Sequence, residues 1–297
     1  MTSVAQHSTA TRLALGTAQF GLSYGIANTR GQVILGEARS IVETAVASGF
    51  DTLDTASAYG ESETCLGTVG VGALKVVTKL AELPGNVVDV SGWVQDQVAA
   101  SLSRLRVSSI YGLLLHRPKQ LTGPGGKALV KALRSLRESG AVQKIGISIY
   151  SPDELASLGS FHPDLVQAPF NLVDRRIHTT GWLARLKDSG VEIHTRSTFL
   201  QGLLLMPRES IPAKFAPWSA LWERWHNWLA ENQASPVAAC LAYPLALPEH
   251  VDRVIVGADS VQQIGEIISA ATQTLSALPN LECDDERLIN PSRWNKL

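Results

Sequence analysis

GFDTLDTASAYGESE, residues 49–63, joins a short β-rich run to the start of a helical pattern. Thr52-Leu53-Asp54-Thr55 closes on a carboxylate, and a lone Tyr59 follows five residues later beside Gly60. An acid at a strand end is commonly a turn former whose side chain caps nearby amides. It acquires another meaning if this strand is one of many whose ends gather in one place.

Such runs recur. LALGTAQF (13–20), TLDTA (52–56), KVVTKL (75–80), SIYGLLLH (109–116), KIGISIY (144–150), LVQAPF (165–170), VEIHTRS (191–197) and RVIVGA (253–258) are short, apolar and rich in β-formers. Amphipathic helical stretches lie between them, among them EARSIVETAVASG, VQDQVAASLSRLR and KALVKALRSLRESG, several closing on the glycine expected just past a helix end. Eight strands alternating with helices predict a (β/α)8 TIM barrel. The rival, a doubly wound open sheet, has two or three strands fewer. The seventh and eighth strands are separated by an extra helix, PWSALWERWHNWLAEN, and then by PVAACLAYPLAL. Trp218, Trp222 and Trp225 recur there at helical spacing, with Trp228 one step round, and read as a face packed on the barrel.

The 297 residues, 45% of them hydrophobic, show no composition break or long linker, which predicts one barrel domain over 1–297. A net charge of −1 gives no footprint for nucleic acid or an acidic membrane. No apolar run is long enough to span a bilayer, and MTSVAQHSTATR lacks the apolar centre of a signal peptide. Cys65, Cys240 and Cys283 are odd in number and scattered, against a disulfide framework. A cytoplasmic protein is expected.

In such a barrel, chemistry sits at the C-terminal strand ends. Those ends carry Asp54, Lys79, His116, Ser148, Gln167 and Arg196. Each alone has an innocent reading: a surface lysine, or a core histidine bonded to a carbonyl. Three successive strands ending on three different ionisable groups are harder to dismiss. Together with Tyr59 they make a proton-transfer site. A phenol is too weak an acid at neutral pH; a nearby ammonium lowers its pKa, a carboxylate holds the ammonium, and a neutral imidazole donates to a carbonyl oxygen. Tyr59, Lys79, Asp54 and His116 fill these roles. A Schiff-base aldolase using Lys79 is a rival reading, as is a redox-sensing subunit with little turnover.

Several motifs then fall in a familiar order: LGTAQFG, LDTASAYGESETCLG, VVTKL, LLLHRP, KIGISIYSPDEL, QAPFNLVDRR, FLQGLL and VIVGADSVQQI. Over nearly its whole length the chain resembles the aldo-keto reductase superfamily. The resemblance implies reduction of a small-molecule aldehyde or ketone by NADPH, with NADH as the alternative cofactor and no Rossmann domain. It puts Asp54, Tyr59, Lys79 and His116 on the catalytic tetrad. Ser148 and Gln167 would hold the nicotinamide carboxamide, and Gly16, Thr17, Ser197, Phe199, Gln201 and Gly202 would line the cofactor. Arg196 takes the place of an aromatic residue that stacks on the nicotinamide. Ile149 replaces an Asn common in relatives, and Gly257 and Gln263 replace the Lys and Arg that clamp a 2′-phosphate, which weakens the case for NADPH.

Specificity loops would correspond to residues around 20–30, 82–92 and 203–220. GLSYGIANTRG and RSTFLQGLLLMP resemble a bacterial branch associated with carbohydrate metabolism, implying a sugar-derived carbonyl. No GxGxxG fingerprint, nucleophile elbow or metal-ligand spacing is present; GTVGVG (67–72) has its glycines in the wrong order.

Overall fold

The computed structural model describes residues 12–275 and 277–297, so the N-terminal segment read above for a signal peptide lies, up to residue 11, outside the described residues. Eight parallel strands pair in chain order and the eighth returns to the first, closing a barrel. They are β1 (Leu13–Gly16), β2 (Thr52–Asp54), β3 (Lys75–Leu80), β4 (Ile110–Leu115), β5 (Val142–Ser148), β6 (Leu165–Pro169), β7 (Glu192–Arg196) and β8 (Arg253–Gly257). The closing register pairs Leu13 with Val254 and Gly16 with Gly257. Every one of the eight runs read from the sequence contributes a strand. They read as near-continuous apolar runs because a parallel strand is covered on both faces, by the barrel interior and by a helix.

The helices follow as α1 (Leu35–Ala47), α2 (Ser62–Val69), α3 (Val90–Leu105), α4 (Gly126–Glu138), α5 (Asp153–Ala156), α6 (Arg176–Thr179), α7 (Trp182–Asp188), α8 (Ser219–Asn232), α9 (Pro236–Leu245), α10 (Val261–Ala270) and α11 (Glu286–Ile289). On α4, Leu129, Ala132, Leu133 and Leu136 are buried, the three-four spacing that turns one stripe inward. The α3 start is fixed by Asp89, whose carboxylate accepts from the Gly92 amide. No helix among the described residues is long and apolar enough to cross a membrane.

The segment between β7 and β8 corrects one detail. Trp222 and Trp225 are buried as their spacing demands, but they pack on the chain that leads into α8 more than on the barrel wall. Trp225 Nε1 donates to the Leu204 carbonyl and Trp222 Nε1 to that of Phe215, each at 3.0 Å. Phe215 in turn meets Trp294, their ring centres 4.9 Å apart. A tryptophan needs a partner for its indole N–H when buried, and the irregular backbone of residues 200–215 offers free carbonyls that strands do not. The C-terminal pieces, α11 and the 3-10 turn Pro291–Lys296, had no counterpart in the strand-and-helix rhythm.

Candidate active site

Asp54 ends β2 and Lys79 stands one residue from the end of β3. Their side chains meet in the interior: Lys79 Nζ donates to both Asp54 carboxylate oxygens and to the Thr55 carbonyl, all at 2.8 Å. Lys79 is only 1% exposed, so these three bonds satisfy an ammonium that water cannot reach. Gln167, across the barrel on β6, donates its amide to Asp54 Oδ1 at 2.6 Å, while Ser148 Oγ donates to Gln167 Oε1 at 3.1 Å. Register explains the second contact, since Ser148 and Gln167 are direct partners in the β5–β6 ladder.

Tyr59 sits in the loop between β2 and α2. Its ring is nearly perpendicular to that of His116, with 6.1 Å between centres, and Lys79 Nζ lies 5.0 Å from the phenol centroid. The Tyr59 hydroxyl makes no hydrogen bond to another protein group among the described residues. Its loop is pinned by Ser62, whose hydroxyl donates to the Thr17 carbonyl at 2.8 Å and pairs with the Thr17 and Thr55 hydroxyls at 2.9 Å. Thr17 also donates to the Asp54 carbonyl, so its hydroxyl is spent inside the protein.

The electrostatics split the roles. Burial lowers the His116 pKa to about 4, assisted by the Lys79, Arg196 and Arg117 cations, so the imidazole is neutral at physiological pH. The Tyr59 pKa is pushed up, first by burial and then by the Asp54 carboxylate, with Arg196 pulling the other way. The expectation that a nearby ammonium makes this phenol more acidic is therefore not met. Lys79 is turned to Asp54 and Thr55 with all its N–H groups, and burial and the Asp54 carboxylate outweigh Arg196. Burial also pushes the Lys79 pKa down, against the opposing pull of Asp54.

A cavity of about 690 Å³ opens over these residues, within the range of small-molecule and cofactor sites. Asp54, Tyr59, His116 and Ser148 form its floor; Gly16 and Thr17 border it on β1 and just beyond; Arg196, Ser197, Phe199, Gln201 and Gly202 come from the β7 end and the loop beyond. Gly257, paired with Gly16 in the β1–β8 ladder, and Gln263 also line it. Lys79 and Gln167 stand behind the floor, joined to it through Asp54. All the residues singled out in the sequence thus converge on one site.

Ser197, Leu200 and Gln201 have φ of 62, 47 and 54°, three side-chain-bearing residues in the left-handed region within five positions. Such conformations persist only where neighbours enforce them. Here Asn171 Nδ2 donates to the Ser197 carbonyl, Thr198 Oγ1 to that of Ile255, and Ile26 N to that of Gln201. The last contact brings the loop after β1 over the cavity, where Gln201 Nε2 also donates to the Tyr24 hydroxyl at 3.2 Å.

Arg196 turns into the cavity rather than out to bulk solvent. Its Nη2 donates to the Ile149 carbonyl at 2.8 Å and Nη1 to Ser197 Oγ at 3.1 Å, and its guanidinium lies 4.6 Å from the Tyr150 ring centre. Ile149 itself is fully buried, so its side chain leaves no polar contact where relatives place an Asn. Tyr24, in the loop around 20–30 read as shaping specificity, lines the cavity, while sequence reading missed Tyr150, Pro291 and Ser292, which also line it. For Tyr150 the signal was available, an aromatic residue two positions beyond Ser148 at a strand end; for Pro291 and Ser292 it was the cap-like Asp285 before ERLI and the Asn-Pro step after it.

Comparison with known proteins gives the family and the fold. A sequence model of the Aldo/keto reductase family matches residues 12–284. A 6-dehydroglucose reductase of Novosphingobium aromaticivorans is 31% identical over 140 residues, covering 42% of this chain and 45% of that protein. The matched stretch is thus less than half of the relative's length. Among solved structures, the holo form of an aldo-keto reductase from Bacillus halodurans superposes with a TM-score of 0.71 at 20% identity, covering 90% of this chain and 88% of that one. A Pseudomonas aeruginosa protein assigned to the aldo-keto reductases gives 0.64, also at 20% identity, over 88% of this chain and 90% of the other. At such identity the two structures speak for the fold.

Proposed function

The chain belongs to the aldo/keto reductase family, and we propose that it reduces a sugar-derived aldehyde or ketone to the alcohol with Tyr59 as proton donor. The observation that carries this reading is the meeting of Tyr59 and His116 above the Asp54–Lys79 ion pair, with the phenol hydroxyl free of protein partners. A nicotinamide cofactor supplies the hydride when bound. Tyr59, kept protonated by its raised pKa, gives its proton to the carbonyl oxygen, and neutral His116 donates a hydrogen bond to the same oxygen. Asp54 and Lys79 fix the floor on which the phenol rests. Ser148, at the cavity floor, fits a contact to the carboxamide, while Gln167 stands behind it with its amide bonded to Asp54 and Ser148. The chain forms one barrel domain and works in the cytoplasm.

The other two readings are less well supported. An aldolase needs a lysine amine that reaches substrate, whereas Lys79 is enclosed and triply bonded. A sensor without turnover would not require a phenol with a free hydroxyl beside a neutral imidazole. The match to a 6-dehydroglucose reductase supports a carbohydrate carbonyl as the substrate class.

The family habit favours NADPH. One observation favours NADH as a second reading. At the mouth of α10, where relatives clamp the 2′-phosphate, the Asp259 amide donates to Gln263 Oε1, the Val261 amide to Glu37 Oε1 and the Gln263 amide to Ser260 Oγ. A phosphate there would have to compete with a carboxylate for an amide. Side-by-side assays with the two reduced cofactors decide this.

The test of the main reading is Tyr59→Phe. It should abolish carbonyl reduction while holding cofactor affinity within a few-fold of wild type. Residual turnover above about one per cent would remove Tyr59 from the proton-donor role.

A further inference from the structure

Arg196 is a cation without an anion. Arg104, Arg176 and Arg253 pair with Glu63, Asp174 and Asp51, while Arg12 and Arg175 donate to backbone carbonyls away from the cavity. Arg196 pairs with none among the described residues. Two of its five N–H groups go to Ile149 O and Ser197 Oγ, which fix the plane of the guanidinium; the rest have no acceptor among the described residues. The two bonds and the Tyr150 ring 4.6 Å away hold it in place at the cavity wall.

A second cation, also without an ion pair among the described residues, meets the same Tyr150 ring. Arg117, exposed and directly after His116, lies with its guanidinium 5.2 Å from the centre of the same Tyr150 ring. Tyr150 thus carries two arginines on one side of the site, and neither forms an ion pair among the described residues. The nearest carboxylate on the cavity floor, that of Asp54, is already bonded to Lys79 and Gln167. Asp259, just beyond β8, and Glu266 on α10 also line the cavity, but neither forms an ion pair with Arg196 among the described residues. A guanidinium held facing a cavity with open donors matches an oxyanion by shape as well as by charge.

Building on the reductase reading above, we propose that Arg196, with Arg117 outside it, receives an oxyanion carried by the carbonyl substrate, so that the preferred substrates are acidic: carboxylate- or phosphate-bearing sugar-type carbonyls. Tyr59, His116 and Arg196 share one cavity, so the reacting carbonyl and the acidic group are read on the same molecule. The influence of Arg196 on the Tyr59, Lys79 and His116 pKa values is consistent with its nearness to the reacting centre. A bound anion offsets that cation.

The experiment compares matched substrates that differ in charge. D-Glucuronate is set against D-glucose, and D-glyceraldehyde 3-phosphate against D-glyceraldehyde, with kcat and KM measured separately under saturating reduced nicotinamide. At least one acidic member should exceed its neutral partner by about 10- to 100-fold in kcat/KM, the worth of a charge-assisted bond; which pair responds distinguishes carboxylate from phosphate. In Arg196→Gln that ratio should collapse, chiefly through KM, while dinucleotide affinity by fluorescence titration changes only a few-fold. Arg117→Gln, at an exposed position, should lower the ratio less. With the wild-type enzyme, raising salt from about 0.05 to 0.5 M should raise KM for the acidic member alone. Equal efficiency for charged and neutral partners overturns the proposal, as does an Arg196→Gln loss that falls on dinucleotide binding instead. If no carbonyl is turned over, the reductase reading fails by itself. Calorimetric titration of D-gluconate and glycerol 3-phosphate then decides the anion site: binding that Arg196→Gln removes supports it, and no binding overturns it.

Discussion

Gln167 donates its side-chain amide to Asp54 Oδ1 at 2.6 Å, although the two residues are 113 apart in sequence and sit on strands that face each other across the barrel. This bond and the two from Lys79 orient both oxygens of one buried carboxylate. Asp54 is therefore the joint between the β2–β3 side of the cavity, with Lys79, and the β5–β6 side, with Gln167 and, through it, Ser148.

Gln167→Glu places a second carboxyl group at hydrogen-bond distance from Asp54. Two such groups cannot both ionise cheaply, so the folded-state pKa of the pair rises above its unfolded value. A raised carboxyl pKa penalises folding as pH climbs past the unfolded value near 4.3 and spares it below. The variant's stability deficit against wild type should be larger at pH 7 than at pH 5, measured by urea unfolding at each pH. A deficit independent of pH would mean that the new carboxyl has turned away from Asp54.

Lys79→Met leaves the Asp54 carboxylate buried without its cation. Breaking a buried pair on one side commonly costs about 3–5 kcal/mol. Adding Asp54→Asn removes the stranded charge while keeping an acceptor for Gln167, so the double variant should unfold at higher urea than Lys79→Met alone. If the two losses simply add, Asp54 and Lys79 are not coupled as the 2.8 Å contacts imply.

The strands were legible because each is a brief apolar run, several with a polar residue at or near the end, and in a barrel that end has one destination. Asp54, Lys79 and His116 could be read together for that reason. What could not be read is how donors are shared. Nothing in the order of residues says that Lys79 spends every N–H on Asp54 and Thr55, leaving burial to dominate Tyr59. Nor does local pattern bring Gln201 to Tyr24, or carry Pro291 and Ser292 back over the barrel mouth. The tryptophan stripe of α8 showed that a face is buried, but not that loop carbonyls rather than strands receive its indoles.

Gly21 is required by space alone, since its φ of −121° suits any residue. A Cβ there would lie 1.8 Å from the Tyr59 carbonyl oxygen and 2.4 Å from the Ser62 amide nitrogen. Both are backbone atoms of the turn that presents the phenol. Gly21→Ala should cost about 1–3 kcal/mol by overpacking, and should lower kcat by up to about 100-fold by shifting Tyr59. Gly72→Ala, where an added Cβ meets nothing within 4 Å, serves as the control and should leave kcat unchanged. Full activity in Gly21→Ala would show that the turn can move without carrying the hydroxyl with it.

His116 links the site to the pH dependence of folding. Its pKa falls from an ordinary 6.5 to about 4, chiefly by burial. Between these values the unfolded chain binds a proton that the folded protein excludes, so stability is full above pH 6.5 and is lost as pH falls toward 4. The loss from this group is at most about 3 kcal/mol, the free-energy equivalent of the shift. His116→Asn keeps a hydrogen-bond donor but cannot titrate, so its stability should decline less than wild type from pH 7 to pH 5, with urea midpoints as the measure. The same neutrality predicts that kcat shows no inflection near pH 6.5, since the imidazole stays an uncharged donor across that range. A kcat profile that bends there and straightens in His116→Asn would instead make the imidazolium the working form, and Tyr59 would no longer be the sole proton source at the carbonyl.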